Sequence, residues 1–313
     1  MQSNAGKAIL SDPFSDHFEV GVNGGTLQVA RAGPPPEASA AVVLAAHGVT
    51  ASLMTWRSLA RVLGDDVCLL APDLRGRGHS AELPGPYGIA AHVTDLLGVL
   101  DATGVSSAVL VGHSMGAYVL ARLAAEHPER ARALVALDAG LPLPPVTDLE
   151  DTLEAAVANV IMRLSITFPS AARYLEGWRA HPAFADAWDE DIEAYARYDL
   201  ALNGSVARCV CNPAAVRADT EELVSDPVTR TALERVQCPV YLLRAERGLF
   251  NEPDAALITA ADLRAFAAAH PSVQIEAVPG VNHYTLVMGA GPGPRRVATA
   301  IEAATGTIRR MAG

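Results

Sequence analysis

Several features are scarce in this sequence of 313 residues, and each scarcity excludes a class of protein. Lysine and arginine number 24 against 35 aspartates and glutamates, so the formal charge is −11, and no basic run offers a surface for phosphate groups. We therefore expect no nucleic-acid partner. No apolar run reaches the roughly 18 to 20 residues that a membrane-spanning helix requires. We therefore expect no membrane association.

The sequence also has few cysteines and no clear targeting signal. The start, Met1–Leu10, lacks the charged region and the apolar region of a secretory signal, which favours a cytoplasmic location. Cys68, Cys209, Cys211 and Cys238 are scattered apart from one C-x-C pair, which indicates reduced thiols rather than a disulfide framework. A zinc site would need more ligands than this spacing supplies. Neither a metal nor an organic cofactor is implied.

Half of the residues are apolar, which is enough to bury a large core. Short apolar runs alternate with Ala- and Leu-rich stretches of helical spacing, and this pattern predicts βα units and a largely parallel sheet. Asn23-Gly24-Gly25 predicts a hairpin between the first two strands. The predicted strands are His17–Val22, Thr26–Arg31, Ala41–Ala46, Val67–Ala71, Ala108–Gly112, Ala133–Asp138, Pro239–Arg244 and Val273–Val278. The predicted helices are Leu53–Leu63, Ile89–Thr103, Met115–His127, Ala260–Ala269 and Arg295–Ala304.

The β/α alternation stops between Leu141 and Arg235. We interpret residues 142–235 as a helical cap inserted between two core segments, 1–141 and 236–313. This stretch is rich in aromatic residues, which either line an apolar pocket or pack the interior of the cap, and both interpretations stay open. The aromatic residues are Phe168, Tyr174, Trp178, Phe184, Trp188, Tyr195 and Tyr198.

A nucleophile motif follows the fifth predicted strand. Residues Val109–Ala117 read V-L-V-G-H-S-M-G-A, so G-x-S-x-G stands directly between a strand and a helix. A serine on so sharp a turn has a strained backbone, and only small residues at Gly112 and Gly116 let the chain pass closely. The turn also places Ser114 at a helix N-terminus, where the amide of Met115 can donate to a developing oxyanion. We predict that Ser114 is the nucleophile.

Three landmarks occur in a fixed order along the chain. They are His47-Gly48 after the third strand, Asp73-Leu74-Arg75-Gly76-Arg77-Gly78-His79-Ser80 after the fourth, and Gly112-His113-Ser114-Met115-Gly116 after the fifth. Together they resemble the α/β-hydrolase superfamily, and the resemblance extends from about His17 to the final helix. It implies an α/β-hydrolase fold: a mostly parallel eight-stranded sheet flanked by helices, with an inserted helical cap.

The resemblance also implies roles for individual residues. The residue after His-Gly supplies a second oxyanion amide in such folds, which here is Val49. His47 is expected to form structural hydrogen bonds in its loop. The charged segment from Asp73 to His79 is expected to stabilise a loop rather than to form a site.

The resemblance further restricts the general base, because the family order is serine, then acid, then histidine. The histidines after Ser114 are His127, His181, His270 and His283. The first three each precede a proline, and they lie at predicted helix ends or within the cap. His283 lies in the loop after the last strand, where the family places its catalytic histidine. We predict that His283 is the general base.

The acid departs from the common family pattern. The usual place is a G-x-x-D loop after the penultimate strand, but no aspartate stands at that position here. Glu246 comes slightly early in this loop, and Glu252 or Asp254 would be late. Some family members carry the acid after the preceding strand, and there Asp138 lies at the carboxyl edge of the sheet. Asp138 is the favoured acid, with Glu246 as the alternative.

These residues predict a serine hydrolase that cleaves a carboxylic ester, lactone or thioester through an acyl-enzyme. Epoxide hydrolases and dehalogenases of this fold need a carboxylate nucleophile, so Ser114 argues against both. A small to medium, mostly apolar acyl substrate fits the cap and the composition. The alternatives are a C–C bond hydrolase or an acyltransferase with the same triad, or a ligand-binding member of the fold without turnover. Nothing in the sequence indicates an oligomeric state.

Overall fold

The computed structural model describes residues 11–145 and 148–312, and the prediction on Met1–Leu10 lies outside them. Short apolar segments form the strands, and the strands form two sheets. The strands of the described residues are β1 Asp16–Val22, β2 Gly25–Ala32, β3 Ala41–Ala46, β4 Val67–Pro72, β5 Ala108–His113, β6 Ala131–Leu137, β7 Thr167–Phe168, β8 Leu200–Asn203, β9 Val206–Cys209, β10 Val240–Ala245 and β11 Gln274–Val278. The first sheet has eight of them in the order β1-β2-β4-β3-β5-β6-β10-β11, and the second has three in the order β7-β9-β8.

The large sheet is antiparallel where β1 pairs with β2 and where β2 pairs with β4, and its other pairings are parallel. Helices connect the parallel strands, and a final helix follows the last strand. They are α1 Arg57–Ala60, α2 Ile89–Ala102, α3 Met115–Glu126, α4 Leu149–Leu164, α5 Ala171–Arg179, α6 Glu190–Tyr198, α7 Pro213–Ser225, α8 Pro227–Arg230, α9 Ala260–Ala269 and α10 Pro292–Ala312. The predicted sheet of eight strands and its mainly parallel character are confirmed.

The central strands are buried on both faces, because helices cover each side of the sheet. Successive side chains of a strand point to opposite faces. Val109 and Val111 accordingly pack in one apolar cluster, and Leu110 packs in the other. A continuous apolar run such as this one therefore serves two cores at once. The strand ends are held rigidly at the edge of the sheet where the site lies.

Two of the predicted helices differ from the structure by more than one residue at an end. The prediction of one helix over Leu53–Leu63 was wrong, because a 3-10 turn at Leu53–Trp56 precedes the short α1. The Asp73 carboxylate accepts the Leu53 amide at 2.7 Å and thereby anchors this turn. The last helix is longer than predicted and begins at Pro292, since proline is tolerated in the first turn of a helix.

The segment from α4 to α8, which we call the insertion, joins β6 to β10. It is mainly helical, and it also contains the antiparallel sheet β7-β9-β8, which the sequence did not indicate. These strands have only 2, 4 and 4 residues, and Leu202 and Val206 are exposed, so no alternating pattern reveals them. The division of the chain into a core and a cap at residues 142–235 stays a prediction.

In the described ranges, no helix is both long enough and apolar enough to cross a membrane.

Candidate active site

Ser114 stands between β5 and α3 on a sharply bent backbone. Its φ is 54°, a left-handed conformation that L-residues seldom adopt. The bend brings two backbones into contact, since a Cβ at Gly116 would overlap the carbonyl oxygen of Ala46. The Ser114 amide donates to the carbonyl of Leu137 at 3.1 Å and ties the bend to the neighbouring strand. The local structure is thus the strand–turn–helix that the motif predicts.

Two backbone segments lie beside this serine. Met115 is the first residue of α3, so its N–H has no acceptor within the helix. Gly48 packs so closely that a Cβ there would lie 3.2 Å from Ser114 Cβ. Val49, the next residue, lines the same cavity as Ser114 and Met115. The two residues predicted to supply oxyanion amides are therefore both brought to the serine.

His283 lies in the loop after β11 and is only 5% exposed. Its Nδ1 is 2.8 Å from Oδ2 of Asp138. A carboxylate oxygen accepts, so Nδ1 carries the proton and Nε2 is left as an acceptor. The other Asp138 oxygen, Oδ1, accepts the Ala245 amide at 2.9 Å. Both carboxylate oxygens are therefore fixed, and together they fix the plane of the imidazole.

Of the two carboxylates that the sequence left open, Asp138 is the one in contact with His283. Glu246 instead accepts the amide of Gly280 at 2.9 Å, which links the loop after β10 to the loop after β11. Asp138 follows β6 with a φ of 51°, a second left-handed residue at the edge of the sheet. This contact gives Glu246 a structural role between the two loops.

His113 directly precedes the serine, and the sequence did not indicate a role for it. Its Nε2 donates to the His283 carbonyl at 2.9 Å, and the two rings lie 4.4 Å apart. Burial holds the pKa of His113 well below its usual range, so this ring is neutral. His113 thus tethers the loop of His283 to the serine turn. The only sequence signal is a histidine at the first variable position of G-x-S-x-G.

His47 and Asp73 have the structural character that the resemblance implied. His47 Nε2 accepts the Leu74 amide at 3.0 Å, so Nδ1 carries the proton and donates to the Gly48 carbonyl at 2.9 Å. Burial lowers the pKa of His47 to about 3. Asp73 accepts the amides of Leu53 and His79 at 2.7 and 2.8 Å. Both residues hold loops.

Asp73 also receives a hydrogen bond from the insertion. The hydroxyl of Tyr198 in α6 donates to its Oδ2 at 2.6 Å, and the Tyr198 ring stacks on His79 at 4.2 Å. This contact fastens α6 to the loop after β4. It gives one of the predicted cap aromatics a docking role that the sequence did not indicate.

Two cavities lie near this centre. The first, of about 290 Å³, contains Ser114 and Asp138 and has mostly apolar walls, among them Val160, Val216, Leu223, Leu257 and Ile258. The second lies within the insertion and is lined by the aromatics Phe168, Tyr174 and Trp178, together with Arg163, His181 and Asp199. The aromatic residues therefore do both things considered above, since Trp178 also packs against Phe184 and Tyr195.

Within the described residues, neither the cysteines nor the acidic residues form a disulfide or a metal-binding cluster. All four cysteines are free thiols, and burial raises the pKa of Cys68 to about 11, so it stays protonated. Among residues 11–145 and 148–312, no group of three or more His, Cys, Asp or Glu side chains could hold a metal ion.

Comparison with known proteins places the chain in a family. A model of the alpha/beta hydrolase fold matches residues 41–177. The 2-(acetamidomethylene)succinate hydrolase of Mesorhizobium japonicum is 30% identical over 281 residues, which cover 88% of this chain and 92% of that protein. The chain belongs to the α/β-hydrolase family, and this relative is itself a hydrolase.

Shorter and purely structural similarities agree with this assignment. Lipase LipV of Mycobacterium tuberculosis is 41% identical over 117 residues, which cover 37% of this chain and 43% of the lipase. Among solved structures, E-2-(acetamidomethylene)succinate hydrolase superposes with a TM-score of 0.73 at 24% identity, over 92% of this chain and 98% of that one. The thioesterase domain from the curacin biosynthetic pathway gives 0.71 at 20% identity with the same coverage. These superpositions show the fold.

Proposed function

We propose that this hydrolase cleaves carboxylic esters through an acyl-enzyme, with Ser114 as nucleophile, His283 as general base and Asp138 as the residue that orients the base. The observation that carries the proposal is the 2.8 Å contact between His283 Nδ1 and Asp138 Oδ2. It joins residues 145 positions apart at the edge of the sheet where the serine turn lies. A nucleophile, a base and an orienting acid on separate strands is the arrangement that defines a triad.

The chemistry follows from these positions. Ser114 Oγ attacks the ester carbonyl carbon while its proton passes to His283 Nε2. The carbonyl oxygen becomes an oxyanion and accepts hydrogen bonds from the amides of Val49 and Met115. Collapse of this intermediate expels the alkoxide, which takes the proton from His283 and leaves the acyl group on Ser114.

Water completes the reaction by the same steps. It loses a proton to His283 and attacks the acyl carbon, and the second tetrahedral intermediate releases the carboxylic acid and returns the proton to Ser114. Asp138 stays ionised throughout and stabilises the imidazolium that forms twice in each cycle.

The walls of the serine cavity favour an apolar acyl group. Val160, Val216 and Leu223 come from the insertion and face Leu257 and Ile258 from the core side. A cavity of about 290 Å³ is large enough for a short or medium acyl chain. Thioesters and lactones present the same carbonyl to the same nucleophile and fit this proposal equally.

A second candidate is hydrolysis of an amide-type bond in a substrate that carries a carboxylate. The substrate named for the Mesorhizobium relative combines an acetamido group with succinate. Arg163 lines the cavity in the insertion, and its Nη2 donates to Thr50 Oγ1 at 2.9 Å, one residue from Val49. No carboxylate among the described residues forms an ion pair with this arginine, so a substrate anion would find an unpaired guanidinium there.

One acidic residue shares this cavity with Arg163. Burial raises the pKa of Asp199 to about 6, and its Oδ2 accepts the Tyr174 hydroxyl at 2.8 Å. The Cys209 thiol lies 3.3 Å from both carboxylate oxygens. Asp199 thus accepts hydrogen bonds from neutral donors of the wall and forms no ion pair with Arg163, although the arginine charge counteracts part of the rise in its pKa.

Ester turnover tests the main proposal. The purified protein should release p-nitrophenol from p-nitrophenyl acetate and butyrate, and Ser114→Ala should lower kcat by at least about a thousandfold. If wild type and Ser114→Ala release p-nitrophenol at the same slow rate, the proposal is wrong. Stable ligand binding without turnover would instead favour a binding protein, and faster cleavage of a vinylogous diketone would favour a C–C hydrolase.

Arg163→Gln tests the second candidate. It should raise KM for an ester or amide that carries a carboxylate about tenfold more than KM for a neutral substrate of equal length. Equal changes of KM for both substrates would remove the argument for a carboxylate site.

A further inference from the structure

The loop after β3 carries one of the two proposed oxyanion amides, and two basic side chains hold its carbonyls. His47 Nδ1 donates to the Gly48 carbonyl, and Arg77 Nε donates to the Val49 carbonyl, each at 2.9 Å. A peptide unit is planar, so a fixed Gly48 carbonyl also fixes the direction of the Val49 N–H in the same plane. The Val49 carbonyl is held as well, so Val49 has little freedom to rotate about its N–Cα and Cα–C bonds.

Arg77 is fully buried and has a buried counter-charge in the insertion. Asp219 of α7, also fully buried, forms an ion pair with Arg77 Nη1. Asp219 further binds His92 Nε2 at 2.9 Å and accepts the Gly88 amide at 2.7 Å. Burial alone would raise the pKa of Asp219, but His92, Arg77 and these hydrogen bonds outweigh it and hold the pKa well below its usual range.

A buried ion pair of this kind is weak support for stability, because desolvation of the two charges offsets most of their attraction. The ion pair instead holds the Arg77 guanidinium in a defined position. Arg77 uses the fork of its guanidinium to reach Val49 through Nε while Nη1 reaches Asp219 and the Arg75 carbonyl. A lysine has no second nitrogen and could not hold both groups.

We propose that Arg77, held by Asp219, is a positioning residue that fixes the Val49 peptides for oxyanion binding. This inference rests on the proposed function. Through it, α7 of the insertion contributes to catalysis at a distance, although Asp219 does not contact substrate.

The same turn contains a matched control. Arg75 lies two residues before Arg77 and forms a bidentate ion pair with Asp95 of α2, at 2.9 and 2.7 Å. Both partners are buried, with side chains 3% exposed. The Arg75 guanidinium also donates to the Pro84 carbonyl at 2.7 Å, and none of its hydrogen bonds within the described residues reaches the loop after β3. Breaking this pair perturbs the same turn without touching Val49.

The experiment compares Arg77→Met with Arg75→Met. The readouts are kcat and KM on p-nitrophenyl acetate, thermal stability, and inhibition by a trifluoromethyl ketone, which adds to the serine and places an oxyanion in the hole. Removing one oxyanion donor costs about 10² to 10³ in kcat. We expect Arg77→Met to lower kcat about 10- to 100-fold, with KM changed less than about threefold and the inhibitor weakened in proportion.

Arg75→Met should lose comparable thermal stability and keep kcat within about threefold. Arg77→Lys should fail to restore kcat, because it cannot reach both partners. If Arg77→Met proves too unstable to assay, Asp219→Asn keeps the guanidinium but removes its counter-charge, and we expect a fall of about threefold or more in kcat at constant KM.

Equal kcat losses in the Arg77 and Arg75 variants would overturn the inference and leave the proposed function intact. No Ser114-dependent turnover in the wild type would overturn both.

Discussion

At the residue scale, the site depends on two side chains in strained backbone conformations. Ser114 and Asp138 have φ values of 54° and 51°. Each directly follows a strand, and the last residues of those strands, His113 and Leu137, are register partners in adjacent parallel strands. Ser114 and Asp138 therefore lie next to each other where these two strands end. Such backbone strain persists where the surrounding structure enforces it, and it is frequent at functional sites.

The first prediction concerns the acid. Asp138→Asn should lower kcat by about three to four orders of magnitude, because asparagine can neither hold His283 in the required tautomer nor stabilise its imidazolium. Steady-state hydrolysis of p-nitrophenyl acetate measures the change. Glu246→Gln is the matched control, since Glu246 binds a backbone amide outside the triad, and its kcat should stay within about threefold. The opposite ranking would reassign the acid.

The sequence predicted these residues unevenly, for physical reasons. Ser114 and His283 stand in local patterns tied to strand ends, which a sequence displays directly. The acid stayed open because two loops end at the same edge of the sheet and each carries a carboxylate. His113 was missed, and Arg77 was predicted only to belong to a loop-stabilising segment, because both act on backbone carbonyls of distant residues. Every residue has a carbonyl, so such contacts leave no pattern in the spacing.

At the element scale, the serine turn depends on how closely β5 and α3 approach their neighbours. A Cβ at Gly112 would overlap the backbone of Gly116, and one at Gly116 would overlap Ala46 in β3. The motif requires glycine at both positions because a larger residue would not fit where the two backbones cross. By contrast, the sheet of the insertion was missed, because its strands are too short to show a period.

The second prediction compares two glycines in helices. Gly116→Ala should destabilise the protein by about 2–3 kcal/mol or more, because the methyl group can be accommodated only if α3 moves away from β3. Gly98→Ala, in α2, should stabilise it by about 0.5–1 kcal/mol, because the nearest atom to its Cβ would be Val22 Cγ1 at 3.9 Å. Urea unfolding at neutral pH measures both. Comparable destabilisation by the two variants would contradict this account.

At the scale of the whole molecule, buried ionisable groups link stability to pH. The pKa of His47 falls to about 3 on burial, and the nearby charge of Arg77 also opposes its protonation. An unfolded histidine takes up a proton near pH 6.5. Between pH 6.5 and 3 the unfolded chain therefore binds the proton and the folded protein does not. The stability linked to His47 is present above pH 6.5 and is lost as the pH falls.

The third prediction follows from this linkage. Between pH 7 and pH 5 the wild type should lose about 2 kcal/mol of unfolding free energy through His47. His47→Asn keeps a donor for the Gly48 carbonyl but cannot titrate, so its unfolding free energy should fall by about 2 kcal/mol less over the same interval. Urea titrations at both pH values provide the comparison. Parallel slopes for the two proteins would show that His47 does not carry this dependence.

The placement of these contacts separates two functions of the molecule. Ser114, Asp138 and His283 all follow strands of the large sheet, and His113 ties the serine turn to the loop of His283, which also contacts the insertion where Asn282 donates to the Ala183 carbonyl. The Val49 peptide, in contrast, depends on a charge carried by α7. Under the proposed mechanism, a displacement of α7 would therefore leave the contact between His283 and Asp138 in place and would remove the counter-charge that holds Arg77 on the Val49 carbonyl. Acyl transfer would then depend on the position of a helix that contributes no catalytic residue.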